Sequence, residues 1–268
     1  MIPQPARPRP TLHYLVEIEA HVFALAIAAS VLLAFYPFLM VMLSFCRDVL
    51  HWPAAEQAIY LAVGDFFAGK AGEFIIRNIQ PWMVPKLHVT TMLLLLFTAN
   101  GIFEPLEVAL NRTWGVAENR SYLKNQLVAL GLIFACGTLA LLSLMLTAWS
   151  SQWIPRDAGI ADWLKVLLFK LAALPVSILA LFLVYWLLPN RKVDPGRVAP
   201  VAILVGLALE ALKYINLLVA PLLRDKLDFE YKIFQYSVTI LFWSFLSALI
   251  VLAGAHWTAR RGVKDPLS

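Results

Sequence analysis

The chain has 268 residues, 61% of them hydrophobic and 15% charged, with a formal net charge of +5. Soluble domains hold roughly 45–50% apolar and about 25% charged residues, so this composition excludes a water-soluble globule. The 22 Lys and Arg are scattered among short gaps instead of gathered on one face, which also excludes a basic groove for nucleic acid.

The apolar runs are long enough to cross a bilayer as helices, which takes about 20 residues. The first, 22–46, follows the tail MIPQPARPRP. It exceeds the ~7–15-residue core of a signal peptide and reads as a retained span. A connector over 47–86 follows, holding Trp52, Pro53, Asp65, Gly69, Gly72, Pro81, Trp82 and Pro85. Within 55–79, apolar and charged residues mix at near-helical spacing, which predicts helices lying at the interface instead of crossing it. The second run, 87–103, is short and passes directly into EPLEVALNRTWGV. It must either extend through Glu104 and Glu107 or dip in and return. Runs at 126–149, 164–188, 198–222 and 234–259 bring the count to six.

The expected fold is therefore all-α: a polytopic transmembrane helical bundle of about six spans, with interfacial helices in the 47–86 connector. It forms one integral membrane domain over 1–268. Connector Lys and Arg number eleven on the side holding both termini and eight on the other, a bias that places 1–21 and 260–268 in the cytoplasm and 47–86 outside it. Trp52, Trp82, Trp114, Trp149, Trp153, Trp163, Trp186 and Trp257 fall near span ends, as an aromatic belt requires. Cys46 and Cys136 lie inside apolar runs, where they act as small hydrophobes.

An ionisable group at membrane depth costs at least ~2.5–3.5 kcal/mol even on insertion scales, so each one needs a physical reason. Asn100, Glu104, Glu107 and Asn111 follow at spacings of four, three and four, which puts them on one helix face. Arg112 is placed to neutralise one of the carboxylates. That stripe lines a substrate path, or else the span ends near Gly101 and Pro105 opens a new, solvated helix in its first turn. Glu210 and Lys213 stand at i and i+3 within a span and can pair, with Asn216 on the same side. They serve either as a helix-locking ion pair or as a lipid or substrate contact. Lys170 is close enough to a span end to snorkel. Ser237, Ser244, Ser247, Val251 and Gly254 form a stripe of mainly small residues suited to close helix packing. Pro37, Pro175 and Pro221 mark kinks.

No phosphate-binding glycine loop, H-E-x-x-H or G-x-S-x-G is present, and the five histidines are dispersed. No enzyme, metal site or cofactor is expected.

The stretches FEPLEVALNRTWGVAENRSYLKNQL, LPNRKVDPGRVAPVAILVGLALEALKYI and YSVTILFWSFLSALIVLAGAHWTAR resemble the blocks of the YihY/BrkB family. The patterned positions here are Glu107, Asn111, Arg112, Trp114 and Val116, then Leu188, Pro189, Asn190, Arg191, Glu210 and Lys213. Tyr236, Ser237, Ser247, Gly254 and Ala255 complete them. His256 and Trp257 stand where many relatives carry Glu or Asn, and FYPFLMVMLSF replaces a Tyr/Ser-containing Pro-Phe motif. The resemblance implies a bacterial inner-membrane protein of envelope integrity, with membrane lipids and a lipid or lipopolysaccharide precursor as its partners. Some members were once labelled ribonuclease BN.

On this basis the expected function is transporter-like or flippase-like handling of a lipid or amphiphilic envelope precursor. Asn100, Glu104, Glu107, Asn111, Arg112, Glu210, Lys213 and Asn216 would line its path, with Asn190 and Arg191 meeting a phosphate head group. The competing class is a non-transporting scaffold, with a second copy of the chain or envelope proteins as partners. An RNA-processing nuclease is a remote third.

Overall fold

The apolar runs fold as helices whose backbone polar groups are satisfied internally, the form a chain takes where no water is available. The computed structural model describes residues 11–67, 70–79, 89–116, 121–152, 160–231 and 234–260. In chain order they form α1 (Thr11–Glu17), α2 (Ala20–Ser44) running into a π-helical turn (Phe45–Val49), α3 (Pro53–Phe66), α4 (Lys70–Ile79), α5 (Val89–Thr113), α6 (Tyr122–Gln152), α7 (Ile160–Leu187), α8 (Pro195–Tyr231) and α9 (Gln235–Arg260). There is no strand among the described residues. Among them, three stretches are long and apolar enough to cross a membrane: Ala20–Val49, Pro195–Asn216 and Gln235–Thr258. Shorter apolar stretches occupy Leu127–Ser143 in α6 and Leu174–Leu187 in α7. The molecule is an all-α membrane bundle.

Helices α2, α5, α6, α7, α8 and α9 correspond to the six expected runs, with two differences. First, α5 is one unbroken helix through Gly101, Glu104 and Pro105. No new helix begins at Pro105, and the run does not turn back there. Gly101 does not end the helix because it is a contact point: its bare Cα lies against Ser30 of α2, where a Cβ would collide. Second, α8 does not end near Pro221 but continues to Tyr231, turning most of the expected connector into helix. At 37 residues it is ~55 Å long, well beyond the ~30 Å hydrocarbon core. Pro37 and Pro175 likewise sit inside continuous helices.

Two apolar cores hold the bundle. One joins Ala24 and Ile27 of α2, Leu106 and Leu110 of α5, Tyr185 and Leu188 at the end of α7, Val198, Val201 and Val205 of α8, and Leu252 and Ala255 of α9. The other, toward the opposite end of α2, gathers Leu43 and Cys46 with Ile59 and Val63 of α3, Ile75 and Ile79 of α4, Leu141 of α6 and Ile240 of α9. The 47–86 connector thus contributes α3 and α4 as packed side helices. Phe74 of α4 stacks on Tyr236 of α9 with ring centroids 4.6 Å apart.

The small-residue stripe of α9 packs closely at Gly254, where an added Cβ would run into Tyr185 of α7 and Val205 of α8. Tyr185 is 1% exposed, and its hydroxyl donates to the Val251 carbonyl at 2.7 Å. Ser247 donates back to the Trp243 carbonyl of its own helix at 2.8 Å, a bond that satisfies a hydroxyl without an outside partner.

Candidate functional site

The end of α5 is built by a backbone cap. Gly115, at φ +65°, takes the left-handed conformation that closes a helix. The Val116 N–H then bonds the Asn111 carbonyl at 2.9 Å and the Gly115 N–H bonds the Arg112 carbonyl at 3.1 Å. This cap fixes Glu107, Asn111 and Arg112 at one end of the bundle, against the chain linking α7 to α8.

Glu107 and Asn111 are 3% and 1% exposed. The Asn111 side-chain amide donates to Glu107 Oε1 at 3.4 Å, while its Oδ1 accepts the Asn190 backbone N–H at 2.8 Å. The structure therefore brings together residues of the predicted path and one of the two predicted head-group residues. The other, Arg191, is exposed and donates through Nη1 to the Trp114 carbonyl at 3.2 Å. Its guanidinium lies 6.0 Å from the centre of the Trp114 ring. A cation at a helix C-terminus meets the negative end of the helix dipole, so Arg191 also helps to end α5.

The predicted four-residue face is not kept whole. Glu104 is exposed while Glu107 and Asn111 are buried, because the three-residue step from 104 to 107 turns the helix by about 60° short of a full circle. The side chains of Asn100 and Lys170 lie outside the described residues. Arg112 makes no ion pair with either carboxylate among the described residues; its guanidinium lies 5.3 Å from the centre of the Phe23 ring of α2.

Glu210 and Lys213 do pair, at 2.6 Å between Oε1 and Nζ, with 33% and 40% of their side chains exposed. Asn216 is 4% exposed, and its Oδ1 has no hydrogen-bond partner among the described residues. This group is separate from the α5 cluster, since α5 and α8 are not packed extensively against each other among the described residues. The predicted polar path is thus two groups on different helices. Neither group borders the apolar cavity of about 330 Å³ between α2, α5 and α6, which is walled by Phe35, Phe38, Ile102, Phe103, Ile133 and Cys136 among others.

Thr11, Tyr14 and Thr113, not singled out from sequence, complete the α5 end together with His256 and Trp257. Tyr14 of α1 shares a hydrogen bond with Thr113 and stacks on His256 of α9, with centroids 4.1 Å apart and planes 11° from parallel. Trp257 Nε1 donates to Thr11 Oγ1 at 2.9 Å. The available signal was a hydroxylated aromatic and a histidine beside apolar runs, since such groups need partners when buried. Among the described residues, no group of three or more His, Cys, Asp or Glu is arranged to hold a metal ion.

The chain is 28% identical over 211 residues to a UPF0761 membrane protein of Chlorobium chlorochromatii, an alignment covering 72% of this chain and 48% of that protein. The chain thus spans about half the length of the curated relative it matches. No solved structure matches it. Virulence factor BrkB is the family whose pattern it fits, over residues 13–265, and the chain accordingly belongs to the BrkB family of membrane proteins.

Proposed function

We propose that the protein works in the bacterial inner membrane as a transporter-like or flippase-like handler of a lipid or amphiphilic envelope precursor, with both termini in the cytoplasm and no catalytic chemistry of its own. The observation that carries this reading is the Glu210–Lys213 pair, which leaves a third or more of each side chain accessible within a stretch apolar enough to cross a membrane. Both residues stand on α8, so the ion pair does not itself tie that helix to another. Partial exposure at this depth suits a surface that meets a polar group passing through. At the other end of the first core, Arg191 keeps guanidinium donors beyond its bond to Trp114, and Arg is well suited to a phosphate oxygen pair.

The test is translocation of fluorescent lipids, one with a phosphate and one with a glycosyl head group, by purified protein in sealed vesicles. Wild-type protein is expected to move lipid faster than protein-free vesicles, and Glu210→Gln to lose at least tenfold of that rate at unchanged membrane abundance. Equal rates with and without protein would remove the proposal.

A scaffold is the second reading, favoured by the exposure of Val49, Leu50, Trp52 and Leu61 around the start and outer face of α3. It places a second copy of the chain or an envelope protein on that face. Leu61→Glu would then abolish co-purification with that partner while leaving lipid movement unaffected.

A further inference from the structure

We infer that Glu210, Lys213 and Asn216 form a recognition site for a neutral, hydroxyl-bearing head group, of glycosyl or polyol type. This inference rests on the lipid-handling reading above and specifies which part of the amphiphile the site takes.

The site is built on the seam between α7 and α8. Gly206 meets Ile178 and Leu181 of α7, where a Cβ would press on the Ile178 side chain. Glu210 and Lys213 follow Gly206 at four and seven residues, so they continue the same stripe of α8. The depth follows from the packing of α8 against α9. Val205 abuts Gly254, and α9 begins at Gln235, ~28 Å along the helix from Gly254. Glu210 and Lys213 lie ~8 Å and ~12 Å along α8 from Val205. They are therefore within the middle of the bundle.

Three groups at this depth have bonding capacity left. Lys213 donates to Glu210, and its ammonium lies 5.3 Å from the centre of the Tyr214 ring. An ammonium has three donors and a carboxylate about four acceptor sites, and the pair has no other hydrogen-bond partner among the described residues. Asn216, one turn on, holds a buried amide oxygen with no hydrogen-bond partner among the described residues. Leaving such an atom unpaired is unfavourable, and a donor supplied by a ligand relieves it.

The charge balance selects the ligand. Glu210 and Lys213 sum to zero, so a phosphate group would find its cation already engaged and a carboxylate beside it, while an amine would meet Lys213. A hydroxyl carries no charge to desolvate and both donates and accepts. Neighbouring hydroxyls on one sugar or polyol can give a hydrogen to Asn216 Oδ1 and to the Glu210 carboxylate while accepting from Lys213.

The experiment measures binding by the full chain purified in detergent, using three short-chain probes with the same diacylglycerol tail: a monoglucosyl lipid, the 3-O-methyl ether, which has no free hydroxyl, and the phosphatidate. In an Arg191→Ala background, which removes the separate phosphate contact at the α5 end, the glucosyl probe is expected to bind at least tenfold tighter than either of the others. Asn216→Leu and Glu210→Gln should each reduce that preference by tenfold or more, with affinity for the methyl ether unchanged. Equal affinity for all three probes, a preference for phosphatidate, or native affinity in Asn216→Leu would overturn the inference. Should either variant fail to fold, a photoreactive glucosyl probe on the wild-type chain decides the matter: labelling within 204–216 supports the site, and labelling confined elsewhere overturns it. Glucosyl-selective binding without lipid movement in vesicles would support this site and remove the transport reading. Lipid movement without glucosyl preference would do the reverse.

Discussion

The backbone N–H of Asn190 donates to the side-chain oxygen of Asn111 at 2.8 Å, across 79 positions of sequence. Because Asn111 also bonds Glu107, one amide ties two turns of α5 to the link between α7 and α8. Asn111 is 1% exposed, so water cannot replace what its side chain provides. Replacing it by Leu removes the acceptor facing the half-buried Asn190 N–H and a donor facing Glu107, and each hydrogen bond so lost costs about 0.5–1.5 kcal/mol. Asn111→Leu is expected to lower the melting temperature of the detergent-purified protein and to reduce membrane abundance. Asn111→Asp keeps the acceptor for Asn190 but sets a second acidic group beside Glu107, so it should recover only part of the loss at neutral pH. An unchanged melting temperature in Asn111→Leu would show that the tie carries no stability.

The six long helices were legible because run length and composition report burial in lipid directly, without knowledge of neighbours. Glu210 and Lys213 were legible as a pair for a related reason: a three-residue spacing on a helix determines their proximity locally. Asn111 and Asn190 stood out as polar residues, but their bond depends on how α5 meets the α7–α8 link, which no local spacing encodes. The expected Arg112 ion pair failed on the same ground, since its ring partner Phe23 belongs to another helix. The reading of Pro105 as a helix start treated proline as local punctuation, whereas the packing of α5 against α2 carries the helix through it.

Pro105 offers a direct test of that continuity. Within a helix, proline removes one backbone bond and crowds the preceding turn, at a cost of ~3 kcal/mol or more. Since Pro105 lies inside α5, Pro105→Ala restores an N–H that can reach the Gly101 carbonyl. The variant is expected to melt higher than wild type and to slow amide exchange over 101–109. At the first turn of a separate helix, the same change would be neutral or slightly destabilising.

Gly254 is where α9 comes closest to Tyr185 and Val205. A leucine there has no room unless α9 moves away from both α7 and α8, and inserting carbon into a filled contact typically costs about 1–3 kcal/mol. Gly254→Leu should therefore reduce abundance and melting temperature more than leucine at Gly131, where an added Cβ meets nothing within 4 Å. The displacement should also weaken the bond from the Tyr185 hydroxyl to Val251. Tyr185→Phe is then expected to destabilise wild-type protein by about 1 kcal/mol and the Gly254→Leu variant by less, in a double-mutant cycle.

Tyr60 gives the connector helix α3 a signature in alkaline solution. Its hydroxyl donates to Glu56 Oε1 at 3.5 Å. Burial, reinforced by the neighbouring Glu56 carboxylate, pushes its pKa from 10.0 up to about 12. The folded chain therefore holds this proton more tightly than the unfolded chain. The stabilisation is fully present below pH ~10, where both states are protonated, and is lost as pH rises through the window up to about 12. Tyr14 is also raised, chiefly by burial, so wild-type protein should lose stability at high pH through more than one phenol. The contribution of Tyr60 is isolated by comparison with Tyr60→Phe, which lacks the ionisable group but keeps the ring. The difference in melting temperature between the two proteins should be constant below pH 9 and shift in favour of Tyr60→Phe between pH 10 and 12. In the folded state, ultraviolet titration of tyrosinate should lose a late-ionising step in the variant. A difference that stays flat across that window would mean that α3 does not hold Tyr60 against Glu56 as the structure has it.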